Sequence, residues 1–223
     1  MSMVIRFSDT ATAELFNDPA TGFHGGVLVR DGAMTERKRA ESHLLLVIAK
    51  GQATIVAHGR RHTIGSHQAI TLPVGTEYEW QQENSTVAYY AALGQPVVRP
   101  GEGESVAPIR PDELGELVYC PPPAEASLRG AIPEQLMKHG LVDTTRQWSA
   151  GYWQSTGYYR VTQPFPKHEF MLVLSGKLSL TRPGEEAQVF GPGEALIIPA
   201  GTVCDWDTPG MSKIYSSFVP AKN

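Results

Sequence analysis

Cysteine is scarce in this chain. There are two in 223 residues, Cys120 and Cys204, and they form no C-x-x-C pattern. That excludes a disulfide-dense scaffold and makes free thiols in a cytoplasmic protein the simplest expectation. Long apolar runs are missing too: the longest are about six residues, against roughly 20 for a bilayer span. Met1-Ser2-Met3-Val4-Ile5-Arg6 is not a charged region leading into a long apolar core, so no signal peptide and no membrane association are expected. Positive charge is not in excess. Lys and Arg total 19 against 23 Asp and Glu, a net charge of −4, which gives nucleic acid nothing to bind. The glycines of Gly22-Phe23-His24-Gly25-Gly26 lack the strand-to-helix setting of a phosphate loop. No Ser-His-Asp set stands out, and the spacing of Cys204 and His168 gives no support to a nucleophile pair.

Glycine and proline, by contrast, are plentiful, at 22 and 17 residues. They cut residues 168–206 into four runs of strand length: Phe170–Leu174, Lys177–Thr181, Ala187–Phe190 and Ala195–Ile198. Arg182-Pro183-Gly184 suits a hairpin turn, because proline presets φ and glycine tolerates positive φ.

The same pattern occurs in residues 43–80. His43 and His168, Gly51 and Gly176, and His58-Gly59 and Pro183-Gly184 are each 125 apart. Gly65 and Gly191, Pro73 and Pro199, Gly75 and Gly201, and Trp80 and Trp206 are 126 apart. The one-residue step falls in a hairpin, where length changes are tolerated. The chain therefore reads as an internal duplication.

Around the repeats, Met3–Phe7 reads as an edge strand, and Gly22–Val29 as a turn and strand. Residues 31–42 read as a solvated loop or edge strand. Thr86–Leu93 reads as the last strand of the first copy. The stretch from Gly94 to Pro123 carries too many prolines for a long helix or a central strand, and reads as a connector laid along the surface. Pro133–His139, with Gly140 after it, predicts a two-turn helix. Trp148–Trp153 and Gly157–Thr162 open the second copy. Ser212–Val219 closes it, with Lys213, Tyr215 and Ser217 on one face and Ile214, Ser216 and Phe218 on the other.

These residues resemble the cupin family, the small β-barrels of germin-like and RmlC-like type. The x-V-L-x-G of its first motif is similar to Leu172-Val173-Leu174-Ser175-Gly176, and its G-x-x-x-x-x-P-x-G is similar to Gly193–Gly201. The motif ending at Trp206 and the W-x-x-G-x-W from Trp148 to Trp153 look most like the ureidoglycine aminohydrolase-like branch. The resemblance implies an all-β chain of two tandem cupin (RmlC-like jelly-roll) β-barrels. Residues 1–94 would form the first barrel, 95–145 a Pro-rich connector with a short helix, and 146–223 the second barrel. Two barrels in one chain already mimic a dimer, and a further homodimer is a family habit.

Metal-binding cupins resemble H-x-H-x(3,4)-E-x(6)-G, with a last histidine three residues after the glycine of P-x-G. Such imidazoles and a carboxylate suit Mn, Fe, Ni or Zn. With Gly176 as anchor, Glu169 takes the glutamate place, Gln163 and Phe165 the H-x-H places, and Cys204 that of the last histidine. One ligand of four matches. A divalent metal on Glu169, Cys204 and His168 is conceivable, but His168 and Glu169 are neighbours and point to opposite faces of an ideal strand unless a bulge intervenes. In the first copy Lys38, Ala40, Leu44 and Tyr78 hold the corresponding places, so a metal-free, packed barrel is expected there.

The second copy thus gathers Glu169 with Gln163, Phe165, His168, Cys204, Trp206 and Tyr158. This is an apolar pocket with a few polar groups, the usual form of a small-molecule site. Glu169 would be its polar anchor or general base. Burial would raise its pKa unless a cation such as Lys167 or Arg160 sat near. Three readings stay open. The first is a small-molecule-binding bicupin, which by resemblance points to nitrogen or amino-acid metabolism. The second is a metal-dependent hydrolase or isomerase of the kind that releases ammonia from ureidoglycine with Mn. The third is a noncatalytic structural or regulatory protein.

Overall fold

The structure, a computed structural model, describes residues 3–8, 10–94 and 105–220. It is built of strands. The first half runs β1 (Ile5–Arg6), β2 (Ala13–Asp18), β3 (Phe23–Arg30), β4 (Met34–Arg39), β5 (His43–Lys50), β6 (Gln52–Ala57), β7 (Arg60–Gly65), β8 (Ala69–Leu72), β9 (Glu77–Gln82) and β10 (Thr86–Leu93). The middle supplies β11 (Ala107–Ile109), β12 (Val118–Tyr119), β13 (Leu128–Arg129) and β14 (Gln135–Val142), with two single-turn 3-10 helices. The second half holds β15 (Trp148–Pro164), β16 (His168–Gly176), β17 (Leu178–Leu180), β18 (Gln188–Phe190), β19 (Ala195–Ile198) and β20 (Val203–Phe218). Among the described residues no helix is long and apolar enough to cross a membrane.

The duplication is visible in the pairing. The first half contains the order β8-β5-β10-β3-β2, and the second contains β19-β16-β20-β15-β14. His43 opposes Leu93 as His168 opposes Phe218, so the paired strands are offset by the same 125 residues. The halves differ in how their layers join. In the first, β3 and β4 are separate strands, as are β9 and β10, leaving a six-stranded and a four-stranded sheet. In the second, β15 and β20 run unbroken for 17 and 16 residues and carry both layers into one ten-stranded sheet. No sheet closes on itself, so the expected closed barrels are open layers.

Each half takes an edge strand from outside its own repeat. β1, the strand expected near the start of the chain, pairs with β19 of the second half, while β11 from the middle stretch pairs with β8 of the first. The expected connector is therefore partly strand. Its residues 95–104 lie outside the described residues. The helix predicted at Pro133–His139 is replaced by β14, which pairs with β15 from Gln135↔Ser155 to Val142↔Ser149. A neighbouring strand in need of partners overrides weak helix propensity. Gly140 sits at the bulge between His139 and Leu141 instead of ending a helix.

Local chemistry explains the turns. β6 and β7 are joined by His58 and Gly59 alone, at φ 50° and 73°. Two positive φ values suit the twist of a two-residue hairpin, and glycine takes one of them without strain.

Period-two alternation sorts the side chains into three cores. On β5, Leu46 and Ile48 face the interior of the first half with Ile55 and Trp80. On β16, Met171 and Val173 face the interior of the second with Phe165 and Trp206. The opposite faces, Leu45 and Val47 with Phe170 and Leu172, meet in a shared core between the halves. The repeated histidines belong to this shared side. His168 stacks on Phe23 of the first half at 5.5 Å, and His43 stacks on Trp148 of the second, also at 5.5 Å. Each accepts a backbone N–H at Nδ1, His168 from Ala200 at 3.1 Å and His43 from Val74 at 3.3 Å.

Candidate functional site

Glu169 lies next to His168 on β16, and alternation turns it the other way, into the interior of the second half. There it meets two lysines. Lys213 Nζ donates to Glu169 Oε1 at 3.1 Å, and Lys167 Nζ donates to the same oxygen at 3.3 Å. Lys213 comes from β20, where Lys213, Tyr215 and Ser217 all face this interior. Its ammonium lies 4.5 Å from the ring centre of Trp153 and 4.7 Å from that of Trp206. Each cation–π contact of this kind is worth about 0.5–2 kcal/mol, more as water is removed.

Burial would lift the Glu169 carboxyl, but Lys167 and Lys213 outweigh it and hold the group below its ordinary value. Burial pushes Lys213 down to about 8, against the opposing pull of Glu169. At neutral pH the two form a buried ion pair beside a cavity of about 370 Å³.

The cavity wall is aromatic. Phe165 and Tyr158 stack on Trp206 at 6.4 and 6.1 Å, and Trp153 meets it edge-on. Burial raises the Tyr158 hydroxyl far above its ordinary value, so it stays protonated. The middle stretch supplies the rim: Pro121–Pro123 and Cys120 line the cavity, and Cys120 N–H donates to Gln135 O at 2.9 Å, tying that stretch to β14.

Arg160 of β15 completes the wall. It is 8% exposed, its guanidinium carbon lies 4.8 Å from the ring centre of Phe165, and its Nε and Nη2 have no hydrogen-bond partner. The Trp206 indole N–H is likewise buried and unpartnered.

Of the residues singled out in the sequence, Glu169, Phe165, Trp206 and Tyr158 meet at this cavity. Three others do not line it. His168 is on the far face, its Nε2 3.0 Å from Asp18 Oδ2. Cys204 is fully buried among apolar side chains, where desolvation raises its thiol pKa. Gln163 opposes Cys204 beyond an irregularity in the β15–β20 pairing.

The metal set of Glu169, Cys204 and His168 is therefore not assembled. Among the described residues no group of three His, Cys, Asp or Glu side chains could hold a metal ion. The donor chemistry agrees: the only carboxylate of the set in the cavity is already bonded by two ammonium groups. A divalent metal does not fit these residues.

Sequence reasoning missed Lys213 and the proline rim as parts of the site. The alternation of Lys213, Tyr215 and Ser217 on one face was the available signal. A lysine on the inward face of a closing strand needs a counter-charge, and Glu169 is the acid on the strand beside it.

The first half is not packed solid, as Leu44 and Tyr78 led us to expect. It holds a cavity of about 460 Å³ in the corresponding place, lined by Arg30 and Lys38 as well as Leu44 and Tyr78. Its chemistry differs. Leu44, Ala88, Tyr90 and Ala92 stand where the second half has Glu169, Lys213, Tyr215 and Ser217. Glu36 opposes Trp80 as Arg160 opposes Trp206, and Glu36 pairs with Arg30 at 2.5 Å. The geometry is duplicated, but the buried charges belong to the second half.

Strand order and cavities together define an all-β protein of layered sheets with a pocket in each half. Residues 142–215 match the EutQ-like cupin domain. The whole chain has the cupin fold of several solved structures. A protein of unknown function from Pseudomonas syringae pv. tomato is 18% identical with a TM-score of 0.83, over 97% of this chain and 100% of that one. A salicylate 1,2-dioxygenase from Pseudaminobacter salicylatoxidans is 11% identical with a TM-score of 0.64, over 93% and 76%. A cupin 2 conserved barrel domain protein from Leptotrichia buccalis is 10% identical with a TM-score of 0.56, over 98% and 89%. At these identities the likeness is one of fold. No curated protein matches the chain.

Proposed function

We propose that this chain is a small-molecule-binding bicupin, two cupin units in tandem, whose ligand pocket is the cavity of the second unit and works without a metal. One observation carries the reading: a buried Glu169–Lys213 pair lines a cavity in one unit, while its counterpart in the other is Leu44 and Ala88. A buried ion pair is often no more stabilising than apolar side chains of the same volume, so stability gives little reason to keep it. Strongly perturbed charges facing a cleft are a mark of functional sites. Glu169, bonded by two ammonium groups and held below the usual carboxylate range, is a poor proton acceptor at neutral pH. It acts as an anchor that orients Lys213. Lys213, near 8, is the group placed to exchange a proton with a ligand under physiological conditions.

The motif likeness to the ureidoglycine aminohydrolase-like branch guides the choice of ligands towards amino acids, ureides and carboxylates of nitrogen metabolism. The test is thermal unfolding of the full chain against such a panel, followed by a high-resolution crystal structure with each hit. A ligand at about 100 times its dissociation constant adds roughly 2.7 kcal/mol of stability. The reading expects at least one such shift and density beside Lys213. Density for hits only at the surface, or in the first unit, defeats it.

A further inference from the structure

We infer that the ligand of the second unit is a small organic carboxylate, its carboxylate gripped by Arg160 and the Trp206 indole N–H and its body lying among the aromatic rings. This rests on the pocket proposed above and adds the class of molecule it takes.

The argument starts from unmet donors. Buried polar atoms are nearly always hydrogen-bonded, because leaving one bare costs about 1–3 kcal/mol and more for a charged group. Arg160 Nε and Nη2 and Trp206 Nε1 are all buried without a partner, and both residues line the same cavity. Guanidinium and indole nitrogens donate and do not accept. What they lack is therefore an acceptor, and an arginine fork suits two oxygens on one carbon.

Charge points the same way. The cavity is lined by Arg160, Lys167 and Lys213 against the single carboxylate of Glu169. Glu169 is taken by both lysines. Of the two acids flanking Trp206, Asp207 is exposed, and Asp205 is already occupied: its carboxylate accepts from the Thr181 N–H at 2.7 Å and the Tyr159 hydroxyl at 3.1 Å. Among the described residues Arg160 has no ion pair.

The first unit is an internal control. At the place matching Arg160 it carries Glu36, and the cation stacked there on Trp80, Arg30, is neutralised by that glutamate at 2.5 Å. The chain thus supplies its own counter-anion in one copy and leaves it out of the other. Phe165, Tyr158 and Trp206 then offer flat apolar faces beside the cation, which favours a carboxylate with a small planar body over a bare inorganic ion.

The experiment is calorimetric titration of the full chain at low salt. The probes are acetate, pyruvate and benzoate, each beside its neutral amide, and inorganic phosphate. The expectation is that at least one carboxylate binds tenfold or more tightly than its amide, and that Arg160→Gln removes that preference. Arg160→Lys, which keeps the charge and loses the fork, should retain part of it. Should Arg160→Gln fail to fold, the carboxylate-to-amide ratio in the native chain and in Arg160→Lys still decides. Amides binding as well as their acids, or a preference untouched in Arg160→Gln, overturns the inference and leaves the pocket reading standing. Binding of phosphate without any carboxylate overturns it as well. Silence from every probe also counts against it, and the pocket reading is then judged on its own by the wider panel and crystal structures.

Discussion

Lys213 Nζ stands 3.1 Å from Glu169 Oε1, with the two side chains 5% and 4% exposed. Removing either partner leaves the other buried, but the losses are unequal because Lys167 also bonds Glu169. Glu169→Gln leaves two ammonium groups facing each other and should cost about 3–5 kcal/mol, the range for a broken buried pair. Lys213→Met leaves Glu169 with Lys167 and should cost less. The double variant should recover part of the loss. Urea unfolding of the three gives the order, and a Lys213→Met variant less stable than Glu169→Gln would contradict the geometry.

Lys213 also makes stability depend on alkaline pH, and the sign follows from its shift. Burial brings the folded-state value down to about 8 from an ordinary 10.5. Between those values the unfolded chain holds a proton that the folded chain has released, so raising pH from about 8 to 10.5 favours the fold. The gain should not exceed about 3 kcal/mol. Unfolding free energies at pH 8, 9 and 10, taken as native minus Lys213→Met, should rise. A flat or falling difference would mean that the ammonium is not desolvated as the structure shows.

Much of this was legible in the chain itself. Glycine and proline punctuation placed β10, β17, β18 and β19 closely, because turn chemistry is local. The 125-residue offset held into the strand pairing. Other features depended on distant partners. Pro133–His139 carries helix signals, yet β14 forms because β15 offers it a ladder of hydrogen bonds. β1 pairs with the half it does not adjoin in sequence, and β11 reaches back past β10 and β9 to β8, which no local pattern encodes. In the site, Glu169, Phe165, Trp206 and Tyr158 were found by motif and strand position. Lys213 was missed because its role appears only when β16 and β20 lie side by side. Cys204 and His168 were included by family template, and alternation and packing place them elsewhere.

His168 ties the two halves together through Asp18 and the ring of Phe23, and stacks on Phe218 within its own half. Burial lowers its pKa, against the pull of Asp18. Asp18 is lowered as well: Thr21, the Ala20 N–H and His168 together outweigh its burial. Both groups have depressed folded-state values, so both contribute stability that is present near neutrality and is lost in acid. For His168 the loss begins as pH drops below about 6.5, and for Asp18 below about 4. His168→Phe keeps the stacking but leaves the Ala200 N–H without its acceptor, at a cost of roughly 1–3 kcal/mol. It should also flatten the stability profile between pH 6.5 and 5. Chemical unfolding across that range checks both, and an unchanged slope would remove His168 as the titrating group.

Three glycines in the left-handed region rank the cost of close approach. Gly59 has φ 73° and open space where a Cβ would stand. Gly59→Ala should therefore lose only the conformational term, roughly 1–2 kcal/mol. Gly51 has φ 81°, and its Cβ would meet Ser85 O at 2.7 Å. Gly176, the matching residue in the second half, has φ 72°, and its Cβ would lie 1.9 Å from Gly210 O. The approach is closer there because β20 runs unbroken through Gly210, whereas the first half has a loop at Asn84-Ser85 that can yield. The expected order of destabilisation is Gly176→Ala, then Gly51→Ala, then Gly59→Ala, read from denaturation midpoints of the three variants. The order tests the structural difference between the copies, since equal losses at 51 and 176 would mean that the continuous β20 is no stiffer than the split pair β9 and β10.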